Sequence, residues 1–171
     1  MGRTLADTVS LTGVGLHTGQ ACTVALRPGQ HGVRFVGLTD PQAPVIAAHV
    51  DAIVDTRLAT TLGQGTRRVQ TVEHLLSAVM GLGLTDLDVA VDTAELPILD
   101  GTAGAWAQAI LSAGLTDTPV SRPRLVIDAP VRVTDGDGWM LAEPASRLEV
   151  SLTIDFSHPL IGQQSLCWSE A

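Results

Sequence analysis

The sequence contains no lysine, so all ten of its basic residues are arginines, and eighteen acidic residues outnumber them. The formal net charge is therefore −8 with neutral histidines. Binding to nucleic-acid phosphates or to anionic membrane surfaces relies on clustered basic side chains. The acidic balance and the absence of a basic run argue against both kinds of partner.

Cysteine is also scarce: Cys22 and Cys167 are the only two, and they form no metal-binding or redox motif. Isolated cysteines suit a reducing compartment, where they act as small hydrophobic residues. The N-terminus lacks the apolar core of a signal peptide, and no apolar run is long enough to span a bilayer. The sequence therefore predicts a cytoplasmic protein without a transmembrane segment.

The composition that remains is that of a globular protein. Hydrophobic residues make up 45% of the 171 positions and charged residues 16%. Such a chain is long enough for one domain with a substantial core, or for one domain and part of a second.

Residues 71–83 have the clearest helical pattern in the chain. The apolar residues at helical spacing are Val72, Leu75, Leu76, Val79 and Met80. Glu73 and His74 lie in the first turn, where the helix dipole favours a carboxylate and a neutral, metal-ligating imidazole. Adjacent helical residues lie about 100° apart, so both side chains can face one cleft. Taken alone, a Glu and a His at these positions more often have no catalytic role.

Strand patterns dominate the rest of residues 1–120, which we expect to form a first domain. Expected strands cover residues 8–16, 22–27, 32–36, 58–62, 67–69 and 87–92, with a weaker β-biased stretch at 45–54. The first two strands, and the two around a turn at 63–66, should form hairpins. A second helix is expected over residues 103–113, with Asp100 or Thr102 as its N-cap and Gly114 at its end. These elements predict an α+β fold, a two-layer sandwich of an antiparallel sheet with two helices.

A linker is expected over residues 116–124, and residues 122–171 are expected to begin a second, similar α+β domain. Its strands are predicted at 125–127, 131–134, 139–143 and 148–156. The last strand alternates cleanly and should bury one face, formed by Leu148, Val150, Leu152, Ile154 and Phe156. No helical pattern follows that could cover this face. We therefore expect an incomplete second domain that is open to self-association through its strands.

Five segments together carry a family resemblance. They are residues 13–19 (GVGLHTG), 55–60 (DTRLAT), 71–75 (TVEHL), 95–101 (ELPILDG) and 154–159 (IDFSHP). In this order and spacing the chain resembles the zinc-dependent UDP-3-O-acyl-N-acetylglucosamine deacetylases of lipid A biosynthesis, over essentially its whole length. The resemblance implies two α+β domains, a zinc site between them, and hydrolysis of an acetamide on an acylated UDP-sugar.

The resemblance also implies residue roles. Glu73 matches the general base of the family, and His74 matches its first zinc ligand. The positions implied to line the substrate site are Leu58, Ala59, His17, Asp155 and Phe156, the last two near the nucleotide. Many members of the family carry Cys where this chain has Ala59.

Two departures limit what the resemblance implies. Gly138 stands where many members have a phosphate-contacting Lys. The family's other two zinc ligands, a His and an Asp four residues apart, come from a downstream segment, as do further catalytic groups. None of the five histidines of this chain begins a His-x-x-x-Asp or His-x-x-x-His pattern. We therefore expect an N-terminal portion of the enzyme, with an incomplete zinc site and no activity alone.

Two alternatives stay open. The chain could act as a non-catalytic interaction module whose active-site residues are relics, or as a pseudoenzyme subunit completed by a separate chain that carries the missing ligands.

Overall fold

The computed structural model describes residues 1–120 and 125–169, which fall into two compact units that divide between residues 122 and 123. The strands of the first unit are β1 (Gly2–Leu5), β2 (Val9–Val14), β3 (Ala21–Pro28), β4 (Val33–Gly37), β5 (Ile46–Ala47), β6 (Ile53–Asp55), β7 (Thr61–Gln64), β8 (Arg67–Gln70), β9 (Leu87–Val91) and β10 (Leu115–Thr118). Its helices are α1 (Glu73–Gly81) and α2 (Gly104–Ser112), with a 3₁₀ turn at Val50–Ala52. The second unit contains β11 (Val131–Asp135), β12 (Gly138–Ala142), β13 (Glu149–Phe156) and β14 (Gly162–Ser169).

A five-stranded sheet in the order β2-β3-β9-β4-β5 forms the framework of the first unit. Its neighbours are antiparallel except β4 and β9, which are parallel. A three-stranded sheet, β6-β7-β8, and a pair, β1-β10, complete the strands. The prediction of an α+β fold with sheets and two helices is confirmed, as are the hairpins β2-β3 and β7-β8.

The core lies between the five-stranded sheet and the two helices. The central residues of β3 and β9 are buried on both faces of the sheet, and the register that pairs Val24 with Val91 and Leu26 with Val89 puts these four on one face. From the helices, the buried cluster includes Leu75, Val79, Trp106 and Ile110. One sheet face and two helix stripes therefore share a single hydrophobic core.

Helix α1 matches the predicted segment, but Met80 does not belong to its buried stripe. Leu75, Ala78 and Val79 are buried, whereas Met80 is 69% exposed. Met80 follows Glu73 by seven residues, which is close to two helical turns, so it shares the face of Glu73 rather than that of the core.

The predicted linker at 116–124 is wrong at its start, because β10 pairs with β1 from Gly2↔Thr118 to Leu5↔Leu115. Residues 121–124 of that linker lie outside the described residues, as does the end of the predicted second domain at 170–171.

The expected strand at 58–62 is wrong in its first half, because Leu58 has a left-handed φ of 64° and β7 begins at Thr61. The expected N-cap of α2 is partly right: Ala103 is the cap residue, but the Thr102 hydroxyl accepts from the Gly104 N–H at 3.0 Å.

The second unit consists of two antiparallel hairpins, β11-β12 and β13-β14. The strand expected at 125–127 is absent there, and β14 was not predicted. The apolar face of the predicted strand 148–156 is uncovered, as expected from the lack of a helical pattern after it: the exposed fractions are 36–54% at Leu148, Val150, Leu152, Ile154 and Phe156. Within this unit the described residues include no helix that could cover them.

No helix among residues 1–120 and 125–169 combines the length and the hydropathy required to cross a bilayer.

Candidate active site

Helix α1 places Glu73 and His74 side by side in its first turn, where both are partly buried. The chain enters the helix through Thr71, which is 3% exposed and has a φ of 60°. A left-handed backbone is costly for a β-branched residue. This turn separates extended strand β8 from the helix and so fixes where the helix begins.

The Glu73 carboxylate is held by a backbone amide from a different segment. The N–H of Thr60 donates to Glu73 Oε2 at 3.2 Å. Thr60 directly follows Leu58 and Ala59, of which Leu58 is 91% exposed and Ala59 is buried. The structure therefore brings the predicted substrate positions 58 and 59 close to the predicted general base.

The loop before α2 contributes a second carboxylate near the helix. The backbone N–H and the hydroxyl of Thr102 each donate to Asp100 Oδ1 at 2.9 Å. These bonds, with a smaller contribution from His74, hold the pKa of Asp100 below its usual range.

Glu95 is the most heavily hydrogen-bonded acid in this region, although it is only 1% exposed. Its Oε1 accepts from the His17 N–H at 2.9 Å and from the Thr71 hydroxyl at 3.1 Å. Its Oε2 accepts from the Thr18 N–H at 2.8 Å and from the Thr18 hydroxyl at 2.6 Å. Burial alone would raise the pKa of Glu95, but these four bonds outweigh it and lower the pKa to about 2.

The His17 loop, residues 15–19 between β2 and β3, lies directly against this carboxylate. A Cβ on Gly15 would overlap Glu95 Oε2 and would lie 2.6 Å from Thr18 Oγ1, so the close approach requires glycine. The His17 side chain is exposed while its backbone is bonded to Glu95. The loop is therefore fixed through its backbone, and its imidazole is free to face solvent or a ligand.

The donor set for a metal is incomplete within residues 1–120 and 125–169. No group of three or more His, Cys, Asp or Glu side chains there is arranged to hold a metal ion. A catalytic zinc usually takes three protein ligands. Of the two predicted site residues on α1, His74 supplies an imidazole nitrogen of the kind that zinc binds.

Asp155 and Phe156 are the last two residues of β13 in the second unit, and both side chains are exposed. Gln163 Nε2 donates to Asp155 Oδ2 at 3.5 Å across the hairpin. Their assignment to the nucleotide stays a prediction.

Sequence reasoning missed the roles of Thr60, Thr71 and Glu95 in this arrangement. Glu95 belongs to a motif that was recognised, but a single sequence carries no sign that an acidic residue in a loop is buried. Thr60 acts through its backbone, which no residue pattern reports. The unusual φ of Thr71 has no sequence signal, because the residue type disfavours it.

Comparison with known proteins gives a consistent result. A family model described as UDP-3-O-acyl N-acetylglycosamine deacetylase matches residues 2–170. A protein of Myxococcus xanthus named UDP-3-O-acyl-N-acetylglucosamine deacetylase is 47% identical over 166 residues, covering 95% of this chain and 52% of the relative. Proteins of the same name from Anaeromyxobacter dehalogenans and Methylococcus capsulatus are 44% and 42% identical, each over 95% of this chain and 53% and 54% of their own lengths. The chain thus spans about half the length of these curated relatives.

Proposed function

Because this chain belongs to the UDP-3-O-acyl-N-acetylglucosamine deacetylase family, we propose that it supplies the general base and one zinc ligand of an enzyme that removes the acetyl group from a UDP-3-O-acyl-N-acetylglucosamine. The observation that carries this proposal is the pairing of Glu73 and His74 in the first turn of α1, with the Glu73 carboxylate fixed by the Thr60 N–H at 3.2 Å.

The roles divide between the two adjacent residues. Glu73 accepts a proton from the water that adds to the acetamide carbon. The C–N bond then breaks as the amine nitrogen takes up that proton, and acetate and a free amine are released. His74 is a zinc ligand through its neutral imidazole. When bound, zinc supplies a Lewis acid for the acetamide carbonyl and for water. The remaining ligands come from outside the described residues, because no group of three or more metal-ligating side chains occurs among these.

The other parts of the proposal concern substrate and setting. Leu58 and Ala59 lie beside the reacting groups, His17 lies at the mouth of the cleft, and Asp155 with Phe156 contacts the nucleotide. The reaction belongs to lipid A biosynthesis and takes place in the cytoplasm, where nucleotide sugars are made. The exposed apolar face of β13 supports self-association of this chain when nothing else covers it.

The test uses a chimera in which this chain is followed by the remaining part of the Myxococcus xanthus relative, which shares 47% identity over the matched region. Acetate release from UDP-3-O-acyl-N-acetylglucosamine is followed by mass spectrometry, before and after removal and return of zinc. We expect activity that depends on zinc and falls about 10²–10⁴-fold in Glu73→Gln. Ser77→Ala, on the exposed side of the same helix, is the matched control and should keep the rate.

A folded, zinc-loaded chimera without deacetylase activity would contradict the proposal and favour a non-catalytic module. Normal turnover by Glu73→Gln would contradict the role of Glu73. The chain alone is expected to retain less than one zinc per molecule after dialysis against a mild chelator, because the described residues contain no group of three or more metal-ligating side chains.

A further inference from the structure

The Glu95 carboxylate joins three segments that are distant in sequence. Its Oε1 is shared by the His17 N–H at 2.9 Å and the Thr71 hydroxyl at 3.1 Å, so one oxygen atom links the His17 loop to the residue just before the α1 cap. Its Oε2 holds Thr18 through both backbone and side chain. The backbone on either side of Glu95 is also anchored, because the Gln70 N–H donates to the Ala94 carbonyl and the Leu96 N–H donates to the Gln70 carbonyl.

These contacts meet at a strained point of the chain. Thr71 is almost completely buried and left-handed, and such a conformation persists only where its surroundings hold it. The hydrogen bond from the Thr71 hydroxyl to Glu95 is a local interaction that can do this. Two residues later, α1 presents Glu73 and His74. A displacement of Thr71 would therefore also displace the first turn of the helix.

We propose that Glu95 is a positioning residue of the active site, which fixes the His17 loop and the start of helix α1 in one relative arrangement through a single buried carboxylate. The proposal rests on the proposed function for the identity of the groups that are positioned. Glu95 itself does not touch the reacting atoms. It acts through Thr71 on the helix and through the backbone of residues 17 and 18 on the loop.

The chain offers a matched carboxylate for comparison. Asp86 is fully buried and accepts from the Gly32 N–H at 2.8 Å and from the Thr85 hydroxyl at 2.7 Å. It precedes β9, whereas Glu95 follows it, so the two acids lie toward opposite ends of the same strand. A purely structural role predicts similar effects of removing either charge. A positioning role predicts that only Glu95 controls the distance between α1 and the His17 loop.

The experiment measures that distance in the full chain without metal. In a Cys167→Ser background, Ser77→Cys carries a nitroxide on the exposed face of α1, one turn after Glu73. Cys22 is 2% exposed and stays unlabelled. Paramagnetic broadening of the amide signals of residues 15–19 then reports the distance from helix to loop. The variants are Glu95→Gln, Thr71→Val, Thr71→Ser and Asp86→Asn.

We expect the broadening at residues 15–19 to change at least about two-fold in Glu95→Gln, since a site is held in place by such supporting hydrogen bonds. Thr71→Val keeps the branched shape but loses the hydroxyl, and it should change the broadening in the same direction. Thr71→Ser keeps a hydroxyl at this position and should show the wild-type broadening at residues 15–19. Asp86→Asn should also show the wild-type broadening, even where it lowers the urea concentration at the midpoint of unfolding.

Wild-type broadening in both Glu95→Gln and Thr71→Val would overturn the proposal, as would an equal change in Asp86→Asn. The outcome does not depend on zinc. A chimera in which His74 fails to bind zinc refutes the proposed function, while the broadening in the chain alone still decides whether Glu95 sets the arrangement.

Discussion

Replacing Glu95 by Gln should remove a defined part of the acid sensitivity of the first unit. The four hydrogen bonds to the carboxylate lower its pKa from 4.5 to about 2. Each pKa unit corresponds to about 1.4 kcal/mol of differential stability. Because the folded pKa lies below the unfolded one, the stabilisation is fully present above pH 4.5 and is lost as the pH falls toward 2. The ionised form of Glu95 therefore contributes about 3 kcal/mol that disappears over this range.

The assay is urea denaturation followed by circular dichroism at 222 nm, at a series of pH values between 6 and 2.5. Both helices of the described residues belong to the first unit, so the helical signal reports its unfolding. The difference in free energy of unfolding between wild type and Glu95→Gln should be largest near pH 6 and should shrink steadily below pH 4.5. Asp117→Asn, which changes an exposed carboxylate of the same unit, is the control and should show little change. Parallel pH profiles for wild type and Glu95→Gln would refute the reasoning.

Three further predictions concern other parts of the chain. Gly15→Ala should destabilise the first unit by about 1–3 kcal/mol, because the new methyl group overlaps the Glu95 carboxylate. The control is Gly81→Ala, whose methyl group would have no atom within 4 Å and should leave the free energy of unfolding unchanged in the same urea assay. A thiol reagent at pH 8 should modify exposed Cys167 but not Cys22, because burial raises the pKa of the Cys22 thiol to about 11. Rapid labelling of both thiols in the folded chain would contradict this prediction. Limited proteolysis should cut first beyond residue 124 and leave an N-terminal core, because the apolar face of Glu149–Phe156 is exposed. Equal protection of the whole chain in a monomeric sample would contradict this.

The elements that the sequence predicted well are those whose own residues carry the period. The two helices have buried stripes at a spacing of three and four residues, and β13 alternates over its whole length. Strand β10 could not be predicted in this way. Its mostly polar residues form a strand only by pairing with β1, which lies at the other end of the unit's sequence. Strand β14 likewise depends on its partner β13. Neither strand can be recognised from the pattern of its own residues.

The residues of the candidate site fall into the same two groups: those that a local sequence pattern indicates and those that only the folded structure shows. Glu73 and His74 were predicted as site residues because they stand in a helical segment with a recognisable motif. The groups that hold this region in place were not found, because they act through backbone amides, as Thr60 does, or through burial, as Glu95 does. The parallel pairing of β4 with β9 was also beyond a local pattern, since it depends on the order in which distant strands assemble.

The central claim is that His74 binds zinc and Glu73 moves the proton, and the most direct measurement is the zinc content of two chimera variants beside their turnover. Glu73→Gln should retain one zinc per molecule and lose about 10²–10⁴-fold in turnover, since the ligand is untouched and the base is removed. His74→Ala should lose the metal and the activity together, since a catalytic zinc depends on its few protein ligands. Stoichiometric zinc in His74→Ala, with turnover close to that of the unsubstituted chimera, would contradict the account.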